Sequence, residues 1–321
     1  MKKTYLITGG AGFIASSLAQ HLLKNQNTVV CLDNFDAFYD RSIKENNIKD
    51  LFDYTDFKFI EGDIRDKVLL HKIFEENTID LVFHLAAKAG VRPSILQPQE
   101  YYDVNVSGTL QLLEAMKHYK INKLIFASSS SVYGNNSSGP SSETENVEFP
   151  ISPYAATKRS GELLLHTFHH LYGVNVVNLR LFTVFGPKQR PDLAIHKFFK
   201  RIYKQEAIEV YGDGSTKRDY TYIDDVIHGF VLSAKHLFEK SIVYETVNIG
   251  NNKPVTLNEL INLLEEVTQK KVIKKHFTTQ QGDVNSTCAN IQKAQKLLNY
   301  YPSTTMKEGL IQFKNWYEKT L

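Results

Sequence analysis

The segment that most constrains the fold is TYLITGGAGFIAS, which begins at residue 4. Its apolar, β-branched first part predicts a buried strand, and a glycine-rich turn leads directly into a segment with helical spacing. Gly10-x-Gly12-x-x-Ala15 fits the turn that binds a dinucleotide between a strand and a helix, and Gly9 gives an overlapping register. Glycine is needed because the backbone must approach a pyrophosphate with no Cβ atom in the way. A glycine turn without a ligand is the alternative, and the position between strand and helix weakens it.

Short apolar runs alternate with segments of helical period along the first part of the chain. The predicted strands are 4–8, 27–33, 56–63, 79–87, 121–129 and 174–180, and the predicted helices lie near 13–25, 66–77, 99–119 and 153–172. Because the strands are apolar throughout rather than alternating, both faces of the sheet are expected to be covered. The pattern predicts an α/β fold with a Rossmann-type doubly wound parallel sheet.

The alternation of predicted strands and helices changes after residue 181, where a Gly-Pro pair, a Gly-Asp-Gly turn and shorter elements follow. We expect a dinucleotide-binding domain at 1–181 and a smaller C-terminal α/β domain for the substrate at 182–321. A further helix and strand lie within about 222–249. They could return to the first sheet, so this range is expected to rejoin the first domain.

Composition excludes several classes of protein. The net charge is +3 and the lysines are spread along the chain, so nucleic-acid binding is not expected. No apolar run approaches the roughly 20 residues that span a bilayer, and no signal peptide is evident, so a cytoplasmic protein away from membranes is expected. Cys31 and Cys288 form no disulfide framework or zinc pattern. His166 and His170 have helical metal spacing but no acidic third ligand nearby, so no metal is expected.

Acidic residues follow the second and third predicted strands. Asp33 and Asn34 begin 21 residues after Gly12, where a carboxylate can accept hydrogen bonds from both ribose hydroxyls of a dinucleotide. A carboxylate there also repels a 2′-phosphate, which favours NAD over NADP. Asp63 follows the third strand and could reach the adenine, or it could be the N-cap of the next helix. The sequence leaves both interpretations of Asp63 open.

Tyr154 and Lys158 lie four residues apart in SPYAATK and share one face of a predicted helix. A lysine ammonium beside a tyrosine lowers the pKa of the phenol from its ordinary value near 10 and makes it a usable base. By itself this spacing is more often a surface pair. A run of serines 25 residues upstream of Tyr154, at the end of a predicted strand, favours a catalytic role, because ligands of doubly wound folds bind at that edge.

The motifs taken together resemble a known family. They are TGGAGFIAS, VCLDNF, GDIRD, HLAAKAGVRPS, FASSSSVYG, SPYAATK, RLFTVFGP and KRDYTYIDDV, in that order from about residue 4 to residue 226. This set resembles the extended short-chain dehydrogenase/reductases, and within them the nucleotide-sugar 4-epimerases, above all those that act on UDP-glucuronate. A looser similarity continues to the end of the chain.

The resemblance implies roles for individual residues. Tyr154 would be the catalytic base, Lys158 its pKa partner and a ribose contact, and Ser129 the hydroxyl that bonds the reacting sugar oxygen, with Ser130 and Ser131 completing a shelf of hydroxyls. NAD would take hydride from C4′ and return it to the other face of a 4-keto sugar, with no net redox change. The implied cofactor-binding residues are Gly9, Gly12, Phe13, Ile14, Asp33, Asn34, Asp63, Ile64, Leu85, Ala86, Ala87, Lys88, Asn105, Tyr154 and Lys158. The implied substrate-binding residues are Arg92, Ser129, Ser130, Ser131, Thr183, Arg190, Arg218 and Asp283.

Two departures from neighbouring enzymes narrow the expected chemistry. Family members that decarboxylate or dehydrate their sugar commonly carry an acid within the serine strand, whereas this chain has Ser131 directly before Val132. Where hexose epimerases usually have Asn, this chain has Thr183, which together with Arg190 resembles the uronate group and suits a sugar carboxylate. Thr183 could instead simply favour its strand, and Arg190 could be a solvated loop charge.

The expected function is therefore an NAD-dependent 4-epimerase that interconverts UDP-glucuronate and UDP-galacturonate. UDP-glucose or a UDP-N-acetylhexosamine is the alternative substrate, and a non-catalytic NAD-binding sensor is a further alternative. Such sensors tend to lose the tyrosine or the lysine, whereas both Tyr154 and Lys158 are present here. The resemblance also implies a homodimer that pairs through the helix bearing Tyr154.

Overall fold

The computed structural model describes residues 2–135, 139–278 and 286–321. The strands are β1 Thr4–Thr8, β2 Thr28–Asp33, β3 Phe57–Glu61, β4 Leu81–His84, β5 Lys123–Ser129, β6 Asn175–Leu181, β7 Thr183–Phe185, β8 Ile208–Tyr211, β9 Lys217–Arg218, β10 Tyr220–Tyr222, β11 Tyr244–Ile249, β12 Val255–Thr256 and β13 Lys274–Phe277. The α-helices are α1 Phe13–Lys24, α2 Arg41–Ile48, α3 Lys67–Glu76, α4 Val91–Leu96, α5 Pro98–Tyr102, α6 Thr109–His118, α7 Pro153–Tyr172, α8 Ala194–Tyr203, α9 Ile223–Glu239, α10 Leu257–Thr268, α11 Gln292–Leu298 and α12 Met306–Glu318. Turns of 3₁₀ helix lie at Lys49–Asp53 and Ser130–Tyr133, and a π-helical turn lies at Asp103–Gly108.

The central sheet has seven strands in the order β11-β6-β5-β4-β1-β2-β3. β1 pairs in parallel with both β2 and β4, and β2–β3 and β4–β5 are parallel pairs too. From β1 the chain therefore winds outward to β3 and then crosses to the other side at β4. This confirms the predicted doubly wound Rossmann-type fold, and it puts the point of reversal between the carboxyl ends of β1 and β4, where such folds bind ligands.

The strands of this sheet are apolar because helices cover both faces. Leu6, Val30, Val82 and Leu124, one from each of four neighbouring strands, are buried in a single hydrophobic cluster. Leu112 and Leu165, from α6 and α7, belong to the same cluster. At about 25 cal/mol per Å² of apolar surface, burial of this kind is the main favourable term in folding.

Helix α7 follows the predicted range 153–172 and has clear end signals. Ser152 caps its first turn by accepting a hydrogen bond from the backbone N–H of Ala155 at 3.2 Å, and Pro153 occupies the first helical position. Gly173 ends the helix in the left-handed conformation. Gly161 faces β5 so closely that a Cβ atom there would lie 2.6 Å from the ring of Phe126. The helix and the strand are therefore packed at short range.

Other predicted elements differ in detail from the structure. The helix predicted near 99–119 is three segments, α5, the π-helical turn and α6, because one extra residue per turn is accommodated at Asp103–Gly108. The strand predicted at 79–87 ends at His84, and the residues after it form a loop at the sheet edge. Helices α2 and α4 were not predicted.

The chain divides into two compact units. The first comprises Met1–Asn136, Thr144–Arg180 and Ile227–Val247, and the second comprises Ser137–Glu143, Leu181–Val226 and Asn248–Leu321. Across the described ranges, each helix is too short or too polar to cross a membrane.

The second unit holds short strand pairs and a buried carboxylate. β7 pairs with β10, β9 with β12 and β8 with β13. Asp219 is fully buried and accepts hydrogen bonds from the backbone N–H groups of Asn251, Asn252 and Ala289 at 2.8–3.0 Å. This one side chain fixes two loops of the unit, because a buried carboxylate must be satisfied by donors.

Candidate active site

The glycine loop between β1 and α1 uses each glycine differently. Gly9 has a φ of +73°, and a Cβ atom there would lie 2.8 Å from the backbone nitrogen of Ala86. A Cβ atom on Gly10 would lie 2.5 Å from the Cβ of Cys31 on β2, whereas on Gly12 its nearest contact would be the carbonyl oxygen of Gly9 at 3.1 Å. Gly9 and Gly10 therefore let the loop pack on the sheet, and Gly12 keeps the approach to α1 open.

The start of α1 suits an anionic group. Gly12 precedes the helix and offers no side-chain cap, and the first helical residues are Phe13 and Ile14. Free backbone N–H groups and the positive end of the helix dipole favour a phosphate at this position. The loop itself is fixed by hydrogen bonds from the N–H groups of Gly9 and Gly10 to the carbonyl of Leu32, at 2.8 and 3.1 Å.

Asp33 at the end of β2 is tied to this loop. Its carboxylate accepts hydrogen bonds from the backbone N–H groups of Ala11 at 3.0 Å and Phe35 at 2.8 Å. Burial raises the pKa of Asp33, while these donors and the nearby Lys44 act to lower it. The predicted ribose acceptor is thus held in a fixed orientation beside the glycine turn.

Asp63 and Asn34 contact each other at the ends of β3 and β2. The Asn34 side chain donates to Asp63 at 2.8 Å, and Arg65 forms an ion pair with Asp63 at 2.7 Å that lowers the pKa of its carboxyl. The residue that caps α3 is Asp66, which accepts from the N–H of Leu69. The interpretation of Asp63 as an N-cap is therefore wrong, and its role at the adenine stays a prediction.

The loop after β4 brings Leu85, Ala86, Ala87 and Lys88 to the same edge of the sheet. The backbone N–H of Leu85 donates to the carbonyl of Thr8, and that of Ala86 donates to the Thr8 hydroxyl, both at 3.2 Å. These bonds continue the β1–β4 pairing for two residues beyond the strand. The loop is consequently fixed opposite the glycine turn, and its contact with a dinucleotide stays a prediction.

Asn105 secures the far end of that loop. It lies buried in the π-helical turn, accepts from the N–H of Lys88 at 2.8 Å and donates to the Lys88 carbonyl at 3.0 Å. Its amide also donates to Thr157 on α7 at 3.0 Å. The Lys88 ammonium pairs with Asp36 at 3.3 Å and Glu100 at 2.7 Å. Ile64 is buried nearby, where it packs against the Cα of Gly108.

The serines at the end of β5 differ in what they contact. Ser128 is buried and donates to Glu162 on α7 at 2.7 Å. Ser129 is also buried, accepts from the N–H of Ser131 and donates to the Ser131 hydroxyl, both at 3.1 Å. Ser130 and Ser131 are half-buried and begin the 3₁₀ turn. Because side chains alternate along a strand, Ser128 and Ser129 lie on opposite faces of the sheet.

Lys158 is buried and fixed on β5. Its ammonium donates to the carbonyl of Ala127 at 2.8 Å and lies 4.9 Å from the centre of the Phe126 ring. Burial lowers the pKa of Lys158 to about 7, and the charge of Glu162 opposes this fall. Tyr154, one turn earlier on α7, is half-buried with its ring edge-on to Tyr101. The predicted pair therefore lies near the carboxyl end of β5 and is not a surface pair, and its catalytic role stays a prediction.

Two histidines have structural roles. His84 is fully buried between the hydroxyls of Thr8 at 2.7 Å and Thr109 at 2.9 Å, and burial lowers its pKa to about 3. It is a neutral core histidine. His166 packs edge-on against Tyr244. Among the residues with described positions, no group of three or more His, Cys, Asp or Glu side chains could hold a metal ion.

The predicted substrate residues are spread over both units. Arg92 is exposed on α4 in the first unit. In the second unit, Thr183 donates its N–H to the carbonyl of Asp219 at 3.0 Å, and Arg218 donates to the carbonyl of Lys217 at 2.9 Å. Asp283 lies outside the described residues.

Arg190, also in the second unit, has a partner that the sequence analysis did not assign. Its guanidinium forms a two-point ion pair with Asp192, at 2.9 and 2.6 Å, which holds the pKa of that carboxyl below its ordinary value against the effect of burial. Glu162 and Arg180, whose buried ion pair lies next to the serine strand, were not predicted from the sequence. A signal for Glu162 was its position four residues after Lys158, on the same helix face.

Fold and site together define a Rossmann-type protein of the extended short-chain dehydrogenase/reductase class. The chain matches the family described as GDP-mannose 4,6 dehydratase over residues 6–313. The chain belongs to this family.

Relatives of known activity cover the whole chain. A UDP-glucuronate 4-epimerase of Thermodesulfobacterium geofontis is 43% identical over 99% of this chain and 97% of its own length. The structure of the Bacillus cereus UDP-glucuronic acid 4-epimerase with UDP-glucuronic acid and NAD has a TM-score of 0.93 at 40% identity, with 99% of this chain and 100% of that chain covered. The Thermotoga maritima UDP-glucose 4-epimerase, solved with UDP-glucose, has a TM-score of 0.88 at 34% identity, with 99% of each chain covered. The resemblance read from the motifs is thereby confirmed.

Alanine substitutions at Gly10 and Gly12 are expected to have different effects on stability and on NAD binding. Gly10→Ala places a Cβ atom against Cys31, so we expect the free energy of unfolding to fall by about 1–3 kcal/mol. Gly12→Ala places its Cβ atom 3.1 Å from the carbonyl oxygen of Gly9, a milder contact, and should change stability by less than about 1 kcal/mol. It should nevertheless weaken NAD binding at least about tenfold by blocking the pyrophosphate. Urea unfolding and calorimetric titration with NAD measure both effects. Equal destabilisation by the two variants would contradict this assignment.

Proposed function

We propose that the protein is an NAD-dependent 4-epimerase that interconverts UDP-glucuronate and UDP-galacturonate. The observation that carries the proposal is the buried Lys158 ammonium, fixed on β5 by the carbonyl of Ala127, two residues before Ser129, and one helical turn from Tyr154. The two UDP-glucuronate 4-epimerases named above are 43% and 40% identical to this chain over nearly its full length. A sensor without catalysis would have no need to bury a lysine at this position.

The residues present fit NAD. The open approach at Gly12, the free N–H groups at the start of α1 and the oriented carboxylate of Asp33 match a pyrophosphate and an unphosphorylated ribose. Gly9, Asn34, Asp63 and the loop from Leu85 to Lys88 complete the proposed site. When bound, NAD supplies the acceptor and then the donor of hydride at C4′ of the sugar.

The proposed reaction depends on proton control by α7 and β5. The Lys158 ammonium favours the phenolate of Tyr154, which takes the proton from O4′ and later returns it. The Ser129 hydroxyl bonds the same oxygen while its charge changes, and Ser130 extends the shelf of hydroxyls. The 4-keto sugar then turns in the pocket and is reduced on its other face, which inverts C4′.

The serine turn favours epimerisation over elimination. Dehydration needs a further acid or base at the sugar, and the turn Ser130–Tyr133 presents only hydroxyl and apolar side chains. Ser131 holds Ser129 by a hydrogen bond where related dehydratases carry a carboxylate. Membership of a family named after a dehydratase therefore does not make this chain one.

We assign the sugar carboxylate to hydroxyl and cationic donors, namely Ser129, Ser130, Ser131, Thr183, Arg190 and Arg92. Arg218 suits the diphosphate because a guanidinium fork bonds phosphate oxygens in pairs, and Asp283 is proposed at the uridine ribose. The ion pair with Asp192 orients the Arg190 fork.

We further propose a homodimer in the cytoplasm. Exposed apolar side chains on the helix that bears Tyr154 and on α4 support pairing: Leu163 is 53%, Leu171 59% and Leu96 83% exposed. Cys31 and Cys288 are both unpaired thiols, which suits a reducing compartment.

Tyr154→Phe removes the proposed base and should lower kcat by about 10²–10⁴-fold while the protein remains folded and binds NAD. NMR of the products from UDP-glucuronate, UDP-glucose and UDP-N-acetylglucosamine measures epimer and pentose signals together. Tyr301→Phe, at an exposed tyrosine of the second unit, is the control. Wild-type protein with bound NAD that epimerises none of these sugars would refute the function.

Thr183→Asn should shift preference from the uronate towards UDP-glucose. We expect kcat/KM for UDP-glucuronate to fall about tenfold, because an amide replaces a hydroxyl donor to a charged group. Thr183→Val is the matched control, and it should lose uronate turnover without gaining UDP-glucose turnover. An unchanged ratio of the two kcat/KM values in Thr183→Asn would contradict the assignment of Thr183 to the carboxylate.

The dimer can be tested by light scattering, which should give twice the mass of the chain. Leu163→Lys should lower this to one chain, because it places a charge in the apolar face of α7. Ile242→Lys, which is equally apolar and 80% exposed on the same unit, should leave the mass unchanged. A wild-type protein that is monomeric at micromolar concentration would exclude the homodimer.

A further inference from the structure

Glu162 is a buried carboxylate for which the proposed reaction has no use. It lies on α7, four residues after Lys158, with no exposed surface. Its Oε1 accepts from the Ser128 hydroxyl at 2.7 Å and from Nε of Arg180 at 2.9 Å. Its Oε2 accepts from Arg180 at 2.8 Å and from Arg159 at 3.0 Å. Both oxygens are thus fully engaged by donors from β5, β6 and α7.

This arrangement costs more than an apolar contact would. Taking a carboxylate and a guanidinium out of water carries a desolvation penalty of several kcal/mol per ion, which their attraction offsets only with good geometry. Apolar residues of similar size would fill the same space as well or better. The ion pair of Glu162 and Arg180 therefore calls for an explanation other than stability.

The position of Ser128 supplies one explanation. Ser128 directly precedes the proposed catalytic hydroxyl of Ser129, and the two side chains lie on opposite faces of β5. The bond from Ser128 to Glu162 fixes the rotation and height of the strand end against α7. Since Tyr154 and Lys158 are on that same helix, one carboxylate sets the register between the serine and the base.

The charge of Glu162 supplies a second explanation for the buried ion pair. The titratable groups that interact with the Lys158 ammonium are Glu162 on α7 and His84 on β4, and its direct bond is to the neutral carbonyl of Ala127. Arg159 and Arg180 in turn bind Glu162. His84 is neutral, so Glu162 is the one of these groups whose charge is always negative. Its field opposes the effect of burial on the pKa of Lys158 and so favours the ammonium, which is the state that favours the Tyr154 phenolate.

We propose that Glu162 is the positioning residue of this site: through Ser128 it sets Ser129 against α7, and through its charge it maintains the Lys158 ammonium. The inference rests on the proposed function for its catalytic consequence. The effect of Glu162 on Lys158 is argued from the structure of the free protein and does not require the proposed function. Arg180 contributes to this positioning role, because its ion pair keeps Glu162 ionised and in place.

Two variants separate the two halves. Glu162→Gln keeps an oxygen for Ser128 but removes the charge, so the alkaline limb of the kcat profile should move to lower pH by about one unit, as Lys158 loses its proton earlier. Ser128→Ala keeps the ion pair and removes the link to the strand. It should lower kcat about 10-fold to 100-fold at unchanged KM and leave the pH profile in place. Ser128→Thr, which keeps the hydroxyl, should restore kcat.

Ser233→Ala is the control, since Ser233 is a buried serine of the same unit that bonds only within its own helix, to the Gly229 carbonyl at 2.8 Å. A ¹³C NMR titration of protein labelled at the lysine Cε, with NAD bound, measures Lys158 directly. The Lys158 signal is assigned by Lys158→Arg. This titration needs no substrate, so it tests Glu162 even if the wild-type protein turns over no UDP-sugar.

A Lys158 titration that is the same in Glu162→Gln as in wild type overturns the proposal. Wild-type kcat in Ser128→Ala overturns it as well. If Glu162→Gln does not fold, Ser128→Ala and its rescue by Ser128→Thr decide the matter, because the buried ion pair is intact in both. A fall in kcat that Ser128→Thr restores supports the positioning role.

Discussion

The close packing of α7 on β5 is the interaction on which the proposed active site depends. Gly161 lets the helix approach the ring of Phe126, the Lys158 ammonium bonds the carbonyl of Ala127, and Glu162 bonds the hydroxyl of Ser128. Three successive residues of the strand are thereby matched to one face of the helix. Tyr154 lies one helical turn before Lys158, and Ser129 lies one residue after Ser128, so the packing of the helix on the strand sets their relative position.

The same packing lowers the stability of the fold, because it buries the Lys158 ammonium. In the unfolded chain Lys158 has the ordinary pKa of a lysine, and burial lowers it to about 7 in the folded chain. Between these values the unfolded state binds more protons, so the contribution of Lys158 to stability rises as the pH rises through that window and is smallest below about 7. The proposed catalysis needs the protonated form of Lys158, which burial disfavours. Glu162 partly compensates, because its charge acts against the desolvation of the ammonium.

The sequence was sufficient where local chemistry decides the structure. The glycine turn, the apolar parallel strands and the ends of α7 at Ser152 and Gly173 each follow from the properties of one or two residues. The sequence was insufficient where two residues close together in the chain suit the same structural role. Asp63 and Asp66 both suit an N-cap, and only the geometry of the turn assigns the cap to Asp66. The π-helical turn that orients Asn105 was hidden because an inserted residue leaves the apolar pattern of the flanking helices unchanged. The bond between Glu162 and Ser128 joins residues 34 positions apart, and no local pattern carries that information.

The protonation state of the carboxyl group that contacts the serine strand also affects the fate of a 4-keto uronate. Such an intermediate is a β-keto acid, and a proton donor beside it would assist loss of the carboxyl group as CO₂. The carboxyl group that contacts this strand is Glu162, on the face opposite to Ser129. Burial alone would raise its pKa, but hydrogen bonds from Arg180, Ser128 and Arg159 hold it below the ordinary value. Glu162 is therefore ionised and fully occupied by donors, so it positions the serine strand without offering a proton to the sugar.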